Sequence, residues 1–430
     1  MKHISSILTI LLLVIGQAQA QNDAIFETAA QRLYSWHSLA PTEKLYVHQD
    51  RTRYVAGETI WFKVYQSFSG NIDESSGVVY VDLIDGSNTF VAQTKWKLED
   101  GMAAGHIDLP AKLPAGNYQL RACTRWMQNF DSEGFFTREI SVLSPYPSKE
   151  EADFVQENRL ALFPEGGNLV AGLFSRIAFE ATDANGKGID AKGSVIDSEG
   201  NLVQEFETRH AGMGFFNFKP EVGKEYIAKL AGTDVTVCFP EALKQGIVME
   251  ARYLQDLLRI TFRHNMDSRK TFYLTVHQNE NTFYHARVNI NGETVFADIP
   301  AENLPAGIFT VTIYDETYHA WCERLCLINY PEQLHLTTTT VDKDAIGRRE
   351  KVTLTIEAKD MEGNPHAGNF SLSVVKVGID DPQTRDNFYT DYFLKSELRG
   401  RIDNPSFYTD EANRNELNLL LMTHGWRRYA

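Results

Sequence analysis

Leu113-Pro-Ala-Gly-Asn-Tyr-Gln-Leu120 recurs with few changes later in the chain, as Leu304-Pro-Ala-Gly-Ile-Phe-Thr-Val311. Neighbouring proline and glycine indicate a tight turn, and the alternating apolar residues after them indicate a half-buried strand. A weaker copy, Pro220-Glu-Val-Gly-Lys-Glu-Tyr-Ile-Ala-Lys-Leu230, lies between the two. The copies are spaced by roughly 100 residues, the length of one small β-sandwich. The sequence therefore predicts an all-β chain of tandem β-sandwiches.

The first 20 residues predict a secretory signal peptide. Lys2 precedes an apolar run over residues 7–15, and Ala18-Gln-Ala20 is an Ala-x-Ala site, with cleavage expected after Ala20. The run is shorter than the roughly 20 residues that a membrane span needs. No cysteine follows it as a lipoprotein acceptor. We expect an exported mature chain without direct membrane insertion.

Composition excludes some classes of partner. The chain has a formal net charge of −15, with 43% hydrophobic and 11% aromatic residues. That content supports several packed cores, whereas the negative charge argues against binding to nucleic acid and to anionic membrane surfaces.

The four cysteines, Cys123, Cys238, Cys322 and Cys326, are too few for a disulfide-built scaffold. The last two lie about 13 Å apart in one predicted strand, beyond disulfide reach. We expect isolated thiols, and a bridge between Cys123 and Cys238 stays open.

The pattern of helices and strands divides the chain into a short N-terminal helix and four β-rich units. Residues 23–37 carry apolar residues at helical spacing, and Pro41 follows them. Residues 388–398 and 417–423 predict a partly helical C-terminal extension of the last unit. The predicted divisions are a signal peptide at 1–20, a helical segment at 21–42, and β-sandwiches at 43–145, 146–246, 247–331 and 332–430.

The sequence contains no established catalytic or metal-binding motif. His277 and His285 are an even number of residues apart and could share a strand face, but zinc ligands are spaced more tightly. We therefore interpret the two histidines as unrelated polar residues and not as metal ligands. Asp183-x-Asn-Gly-x-Gly-x-Asp190 resembles the start of a calcium loop but lacks its closing glutamate, and Asn-Gly favours a hairpin turn. We predict a chain that is not an enzyme and has no metal, cofactor or catalytic residue.

Four aromatic residues are a candidate carbohydrate platform: Trp61, Phe62, Tyr65 and Trp96. Strand alternation places Trp61 and Phe62 on opposite faces, so at most half of the group can face outward. Core packing is the preferred interpretation, because large aromatic residues are usually buried.

The end of the chain is a candidate docking segment. Trp426, Arg427, Arg428 and Tyr429 combine aromatic rings with guanidinium donors, which suit recognition of a partner. The alternative is a helix end that covers the last sandwich. An aromatic and apolar segment without a polar tail also indicates that the chain is a piece of a longer protein.

Several segments carry a resemblance that follows the mature chain in order. They include Glu43-Lys-Leu-Tyr-Val-His48, Phe163-Pro-Glu-Gly-Gly167, Leu394-Lys-Ser-Glu-Leu-Arg-Gly400 and Gly425-Trp-Arg-Arg-Tyr429. They resemble the exported macroglobulin-like (MG2-type) proteins of Bacteroidetes, which are often fused to a TonB-dependent receptor plug domain. The resemblance implies immunoglobulin-like sandwiches, with an MG2-type domain at 43–145. It also implies a periplasmic or outer-membrane-associated protein of a Gram-negative bacterium, without established catalytic residues.

The leading hypothesis is a non-enzymatic protein-interaction scaffold linked to TonB-dependent transport or envelope assembly. Its expected partners are envelope proteins, among them a TonB-dependent receptor or its lipoprotein. One alternative is a macroglobulin-like endopeptidase inhibitor lacking a thioester, with residues 146–158 as its candidate bait loop. The other is a secreted glycan-binding protein or hydrolase with an unrecognised site. The fold alone does not decide between them.

Overall fold

The predicted all-β fold of tandem immunoglobulin-like sandwiches is confirmed. The computed structural model describes residues 24–68, 75–147, 157–254, 256–266, 270–290, 292, 294–302, 304–330, 335–339, 347–360, 362–375, 387–395 and 397–428. The α-helices are short and lie near the two ends of this range, and two 3-10 turns, Met127–Asn129 and Ser132–Gly134, lie in the first sandwich. The predicted signal peptide, Tyr429 and most of the 146–158 connector lie outside the described residues.

The described chain begins with one helix, which is followed by the eight strands of the first sandwich. Helix α1 spans Ala24–Leu39, as the apolar spacing predicts. The strands are β1 Glu43–Gln49, β2 Arg53–Val55, β3 Thr59–Phe68, β4 Val78–Ile84, β5 Phe90–Lys97, β6 Met102–Asp108, β7 Gly116–Thr124 and β8 Phe136–Leu143. They form a three-stranded sheet, β1-β3-β6, and a five-stranded sheet, β2-β8-β7-β4-β5. Only the inward side chains, such as Ile60 and Phe62, enter the core between the sheets.

The second and third sandwiches share one topology. The second contains β9 Arg159–Pro164, β10 Ser175–Thr182, β11 Lys192–Asp197, β12 Leu202–Glu207, β13 Met213–Phe218, β14 Tyr226–Leu230 and β15 Thr236–Cys238. The third contains β16 Ile247–Leu254, β17 Leu257–His264, β18 Thr271–Gln278, β19 Asn281–Asn289, β20 Thr294–Pro300, β21 Ile308–Tyr314 and β22 Ala320–Leu327. Each pairs a three-stranded with a four-stranded sheet, β13-β10-β9 with β12-β11-β14-β15, and β16-β17-β20 with β19-β18-β21-β22.

The repeated proline–glycine turn motif occupies the same place in all three sandwiches. It carries the chain from the edge of the three-stranded sheet to an inner strand of the larger sheet, at β6–β7, β13–β14 and β20–β21. In the first copy the Tyr118 hydroxyl donates to the Pro114 carbonyl at 2.8 Å. In the second the Tyr226 hydroxyl accepts from the Glu221 amide at 3.0 Å. Such tyrosine corners fix the turn between the two sheets in these two copies. The third copy has Phe309 in place of the tyrosine.

The predicted hairpin turn after β10 is a tight turn that also changes sheets. The Asp183 carboxylate accepts from the Asn185 and Lys187 amides at 2.9 Å each, so the turn's own backbone satisfies it. Gly186 has φ of +73°. One isolated bridge, between Thr182 and Gly188, closes the turn, but β10 and β11 then join different sheets. The hairpin prediction is thus correct for the turn and wrong for the strands.

The last described part of the chain holds one small sheet and a helical region. Strands β23 His335–Thr339 and β24 Thr355–Lys359 pair antiparallel. The helical region contains α2 Phe388–Thr390, a π-helical turn Asp391–Lys395, 3-10 turns Pro405–Thr409 and Glu411–Asn413, and α3 Arg414–Thr423. The helical prediction at 417–423 is confirmed, and the one at 388–398 is confirmed for residues 388–395. Between them Asn404, with φ of 47°, makes the predicted turn before Pro405.

Candidate functional site

The predicted docking segment is bound to the chain's own second and third sandwiches. Nε1 of Trp426 donates a hydrogen bond to the Pro164 carbonyl at 2.8 Å, at the end of β9. The Arg427 guanidinium donates to the Glu323 carboxylate of β22 at 3.2 Å. The indole and one guanidinium therefore have intramolecular partners, which favours a structural role for this segment.

A glycine allows the two backbones to approach at this contact. Nε of Arg428 donates to the Asn168 side chain at 3.0 Å. A Cβ added to Gly167 would lie 2.8 Å from the Arg427 carbonyl oxygen, closer than real Cβ contacts. Gly167 also has φ of +106°, which residues with a side chain rarely adopt. The C-terminal segment can occupy this position only because residue 167 lacks a side chain.

Helix α3 supplies the apolar surface that holds the segment. Its buried residues are Leu417, Leu419, Leu420, Leu421 and Met422. They share a core with Ala178 and Met213 of the second sandwich and with Leu325 and Leu327 of the third. Burying one leucine side chain stabilises by about 1.5 to 3 kcal/mol. The expectation that this helix end covers the last sandwich is wrong. The helix packs instead on the apolar outer faces of β10, β13 and β22.

A buried ion network lies at the contact between the second and third sandwiches. Glu165, just after β9, is 2% exposed, and Arg324 of β22 is 4% exposed. Nε of Arg324 donates to Oε1 of Glu165 at 2.8 Å, and the Ala251 amide donates to the same oxygen at 2.9 Å. Nη1 of Arg176 lies 3.5 Å from Oε2 of Glu165. Both sandwiches therefore contribute charges to one buried cluster.

The network continues into helix α3 and toward the surface. Nη2 of Arg324 donates to the Asn418 side chain of α3 at 2.8 Å. Nη2 of Arg176 donates to the Glu250 carboxylate at 2.6 Å. Burial raises the pKa of Glu250, but the charges of Arg176 and Arg252 outweigh burial and hold that pKa below its usual value. Because a buried charge without its partner is costly, the sandwiches and α3 cannot shift independently.

His424, which follows α3, makes one hydrogen bond to the second sandwich and one to the chain segment that precedes Pro405. Its Nε2 lies 3.0 Å from the Glu180 carboxylate, and its Nδ1 lies 2.6 Å from the Arg399 carbonyl. Both partners accept, so both ring nitrogens donate when the imidazole is protonated. Burial lowers the pKa of His424, but the hydrogen bond and charge of Glu180 outweigh burial and raise it above its ordinary value.

This pair predicts a pH-dependent contribution to stability. A raised folded-state pKa means that the stabilisation is complete below the unfolded-state value of about 6.5. It is lost as the pH rises through the folded-state pKa. We expect Glu180→Gln to lower the free energy of unfolding by about 1 to 2 kcal/mol near pH 6, and by less near pH 9. Urea unfolding of both proteins across this range measures the difference.

A matched control for the pH prediction is the exposed pair His106–Asp108. Its Nε2–Oδ2 distance is 4.0 Å, and the two side chains are 42% and 75% exposed. Solvent screens such a pair, so Asp108→Asn should change stability little at any of these pH values. A Glu180→Gln effect that is constant, or that grows as the pH rises, would contradict the prediction.

Residues 387–395 and 397–398 connect the first sandwich to this junction. On one side, Phe388 packs edge-on against Tyr46 at 5.3 Å between ring centroids, and Lys44 pairs with Glu397 at 2.7 Å. On the other side, Leu394 is fully buried in the core that α3 forms with the second and third sandwiches. The segment therefore touches all three sandwiches, although it is distant from them in sequence.

The N-terminal helix packs on the third sandwich, away from the strand that follows it. Phe26 is buried, with its ring 5.4 Å from Tyr273 and 4.4 Å from His285. The Arg32 guanidinium lies over the Tyr318 ring at 4.0 Å. Both ends of the described chain are thus attached to the third sandwich.

The remaining candidates are separate from this junction. Nδ1 of His277 lies 3.2 Å from the Asn279 carbonyl, whereas His285 stacks on Phe26. Among the described residues, no three histidine, cysteine or acidic side chains are placed to hold one metal ion.

No helix within the described ranges has the length and apolarity needed to cross a membrane. The four cysteines are free, and only Cys238 is exposed.

The candidate carbohydrate platform divides between core and surface. Phe62 is 5% exposed and belongs to the core of the first sandwich. Trp61 is 58% exposed, because it points from the outer face of β3. Tyr65 and Trp96 are half-buried. The alternation was predicted correctly, and the preference for core packing is wrong for Trp61.

The sequence interpretation missed the charged residues of the network. Glu250 stands inside the apolar run Ile247–Ala251, and Arg324, next to Glu323, lies in a strand segment between two cysteines, Cys322 and Cys326. Charged residues are almost never fully buried unless they are paired, and a charge in such a run is the signal that could have found them. The pairing itself could not be predicted, because Arg324 and Glu165 are 159 residues apart.

Comparison with known proteins gives structural likeness only. No protein-family model matches this chain, and no curated protein matches it. Elastase-activated alpha-2-macroglobulin of Escherichia coli is similar at 12% identity and a TM-score of 0.26, over 74% of this chain and 33% of that one. Methylamine-reacted alpha-2-macroglobulin of Salmonella shares 12% identity at a TM-score of 0.20, over 74% of this chain and 25% of that one. Dimeric latent PorU of Porphyromonas gingivalis shares 11% identity at a TM-score of 0.29, over 67% of this chain and 34% of that one.

This chain therefore matches a quarter to a third of the length of the macroglobulins and of PorU. At these identities and TM-scores the likeness carries no argument about activity, substrate or partner.

Proposed function

We propose that this chain is a non-enzymatic protein-interaction scaffold of the bacterial envelope, exported by its signal peptide. We further propose that the chain is a macroglobulin-like protein of the Bacteroidetes type and that it is periplasmic or associated with the outer membrane. It would act with TonB-dependent transport or envelope assembly by binding a TonB-dependent receptor or its lipoprotein. One observation supports the interaction role: an uncovered apolar face on a strand-like hairpin near the C-terminus.

The apolar face lies on residues 352–360 and 362–374. An isolated antiparallel bridge between Lys359 and Pro365 closes the hairpin. Its register places the even-numbered residues of both arms on one side of the hairpin. The apolar residues on that side are each at least 36% exposed: Val352, Leu354, Ile356, Phe370, Leu372 and Val374. In a sandwich such a face is covered by a second sheet.

On the other side of the hairpin, its second arm is held by the first sandwich. The Ser371 hydroxyl lies 2.6 Å from Nδ1 of His48 and accepts from the Tyr65 hydroxyl at 2.8 Å. The Ser373 hydroxyl donates to the Asp50 carbonyl. With the polar side of its second arm occupied, the hairpin presents its apolar side outward. The occupant that fits is an extended segment of a partner protein with alternating apolar residues.

The test places a photo-crosslinking amino acid at Val374, which is 77% exposed, in the full chain in native envelopes. The control position is Val222 of the second sandwich, 70% exposed. We expect one envelope protein to crosslink from position 374 and not from position 222. Purified, that protein should bind the chain, and Val374→Lys should weaken binding at least about tenfold, a loss of about 1.4 kcal/mol. Val222→Lys should not.

Two outcomes would overturn the interaction role of this face. One is an identical crosslinking pattern from both positions. The other is crosslinking only to further copies of this chain, with a dimer in sedimentation analysis that Val374→Lys dissolves. Recovery of a TonB-dependent receptor or its lipoprotein would support the finer proposal, and recovery of a protease would favour the inhibitor alternative.

A further inference from the structure

A cluster of arginines lies where the second and third sandwiches meet, and it shares no residue with the apolar hairpin face. The members of this arginine cluster are Arg176 of β10, Arg209 in the β12–β13 connection, Arg252 of β16 and Arg263 of β17. One oxygen of the Glu250 carboxylate accepts from Arg176 at 2.6 Å and from Arg252 at 2.5 Å. Arg263 donates to the other oxygen at 3.2 Å. Three guanidinium groups therefore converge on a single carboxylate.

The arginine cluster carries more positive charge than the carboxylates beside it can balance. Glu250 is shared by three guanidinium groups. Glu165, the other buried carboxylate of this junction, pairs with Arg176 but also with Arg324. Arg209 makes no ion pair within the part of the chain that the structure describes. The positive excess is local, because the whole chain has a net charge of −15.

The register of the third sandwich places two arginines opposite each other. Arg252 of β16 pairs with Arg259 of β17, and like charges in opposed positions destabilise a sheet. Arg259 is balanced by Asp298 on the next strand, through two hydrogen bonds of 2.7 Å. Arg252 has only its share of Glu250, and its side chain is 62% exposed. Natural proteins break such local rules mainly at functional sites.

The arginine cluster has hydrogen-bond donors left over for a ligand. A guanidinium group has five N–H donors. Arg252 uses one of them on Glu250, and Arg263, whose side chain is 31% exposed, uses two. Arg209 is exposed, with its guanidinium over the Phe215 ring at 3.9 Å. Both sandwiches therefore contribute accessible guanidinium groups with unused donors.

The position of Glu250 decides which kind of anion the arginine cluster can accept. Its carboxylate fills the point where three guanidinium groups converge, so a compact anion such as phosphate would have to displace it. The unused donors belong to separate side chains, and they suit several negative charges that are spaced apart. Carboxylates bind guanidinium groups through paired hydrogen bonds, and clustered arginines recognise acidic motifs in other proteins. We propose that the arginine cluster binds an acidic segment of a partner protein, with carboxylates spaced along an extended chain.

The test titrates the full mature chain with a labelled synthetic peptide whose glutamates are separated by glycine and serine, and follows fluorescence anisotropy. The control peptide has glutamine in place of every glutamate. We expect the glutamate peptide to bind at low salt with Kd of about 100 μM or tighter, and the glutamine peptide to bind at least about tenfold more weakly. Because the chain as a whole is acidic, general charge attraction cannot account for such a difference.

Two variants locate the binding on the arginine cluster. Arg252→Gln and Arg209→Gln should each weaken binding of the glutamate peptide at least about threefold, and together at least about tenfold. Arg125→Gln, at an exposed arginine of the first sandwich, should not change it. Glu250 keeps two arginine partners in the first variant, and the second breaks no ion pair among the described residues. Both variants should therefore fold, which circular dichroism checks.

Four outcomes would overturn this proposal. The first is absence of binding by the glutamate peptide, and the second is equal binding of the two peptides. The third is binding that neither Arg252→Gln nor Arg209→Gln weakens. The fourth is tighter binding of inorganic phosphate or pyrophosphate than of the glutamate peptide, since the arginine cluster would then be a site for a compact anion.

Discussion

Replacing Arg324 with alanine should lower the free energy of unfolding by about 3 to 5 kcal/mol. The substitution removes the main partner of Glu165, whose carboxylate is 2% exposed and cannot reach bulk water. It also removes the hydrogen bond from Arg324 to Asn418 of α3. We therefore expect the second and third sandwiches and the C-terminal helix to loosen together. Urea unfolding followed by tryptophan fluorescence measures the loss.

The matched control is Arg259→Ala. Arg259 makes two 2.7 Å hydrogen bonds to Asp298, but the side chains are 40% and 41% exposed. Because water and salt screen an exposed pair, this substitution should change the free energy of unfolding far less. Equal effects of the two variants would contradict the prediction. Replacing Glu165 and Arg324 together with leucine and methionine should restore much of the loss, since no buried charge would then lack a partner.

The Gly167→Ala substitution should release the C-terminal segment from the second sandwich. A side chain at φ of +106° adds strain of about 1 to 2 kcal/mol. The new Cβ also lies 2.8 Å from the Arg427 carbonyl oxygen, so that backbone must move away, at a further cost of about 1 to 3 kcal/mol. The hydrogen bond from Trp426 to Pro164 should break. Trypsin cleavage after Arg427 and Arg428 should become faster.

Gly172→Ala controls for backbone strain. Gly172 has φ of +81°, but a Cβ there would meet no atom within 4 Å. We expect a comparable strain penalty at both positions and faster trypsin cleavage only for Gly167→Ala. If Gly172→Ala released the C-terminal segment equally, the close contact at residue 167 would not be what holds it. A red shift of Trp426 fluorescence gives a second measurement.

Local and repeated features of the fold could be predicted from the sequence. The repeated proline–glycine turn motif predicted the sandwiches, because a turn followed by an alternating strand has the same local cause in each copy. The structure adds that Tyr118 and Tyr226 fix these turns by hydrogen bonds to nearby backbone. Helices α1 and α3 were predicted for the same reason, since apolar spacing depends on residues within a few turns.

The candidate site could be predicted only in part. The docking character of the segment at 426–428 was recognised, but the side chains bind Pro164, Glu323 and Asn168 of this chain. For Trp61, strand alternation correctly predicted that it lies on the face of the sheet opposite Phe62. The preferred interpretation that Trp61 is buried in the core was wrong. The periodicity of a sequence indicates which residues lie on the same side of a strand. Whether that side is covered depends on how other elements pack against it.

The sequence by itself determined the class of each segment, the repeated sandwich unit and its turns, because these depend on short-range sterics and on the burial of alternate residues. The tertiary structure alone decided that α1 packs on the third sandwich and that α3 packs on the second and third. It alone placed Glu165 beside Arg324. These pairings depend on complementary shape and charge between surfaces far apart in the chain, and no local pattern records which distant surface will meet a given residue.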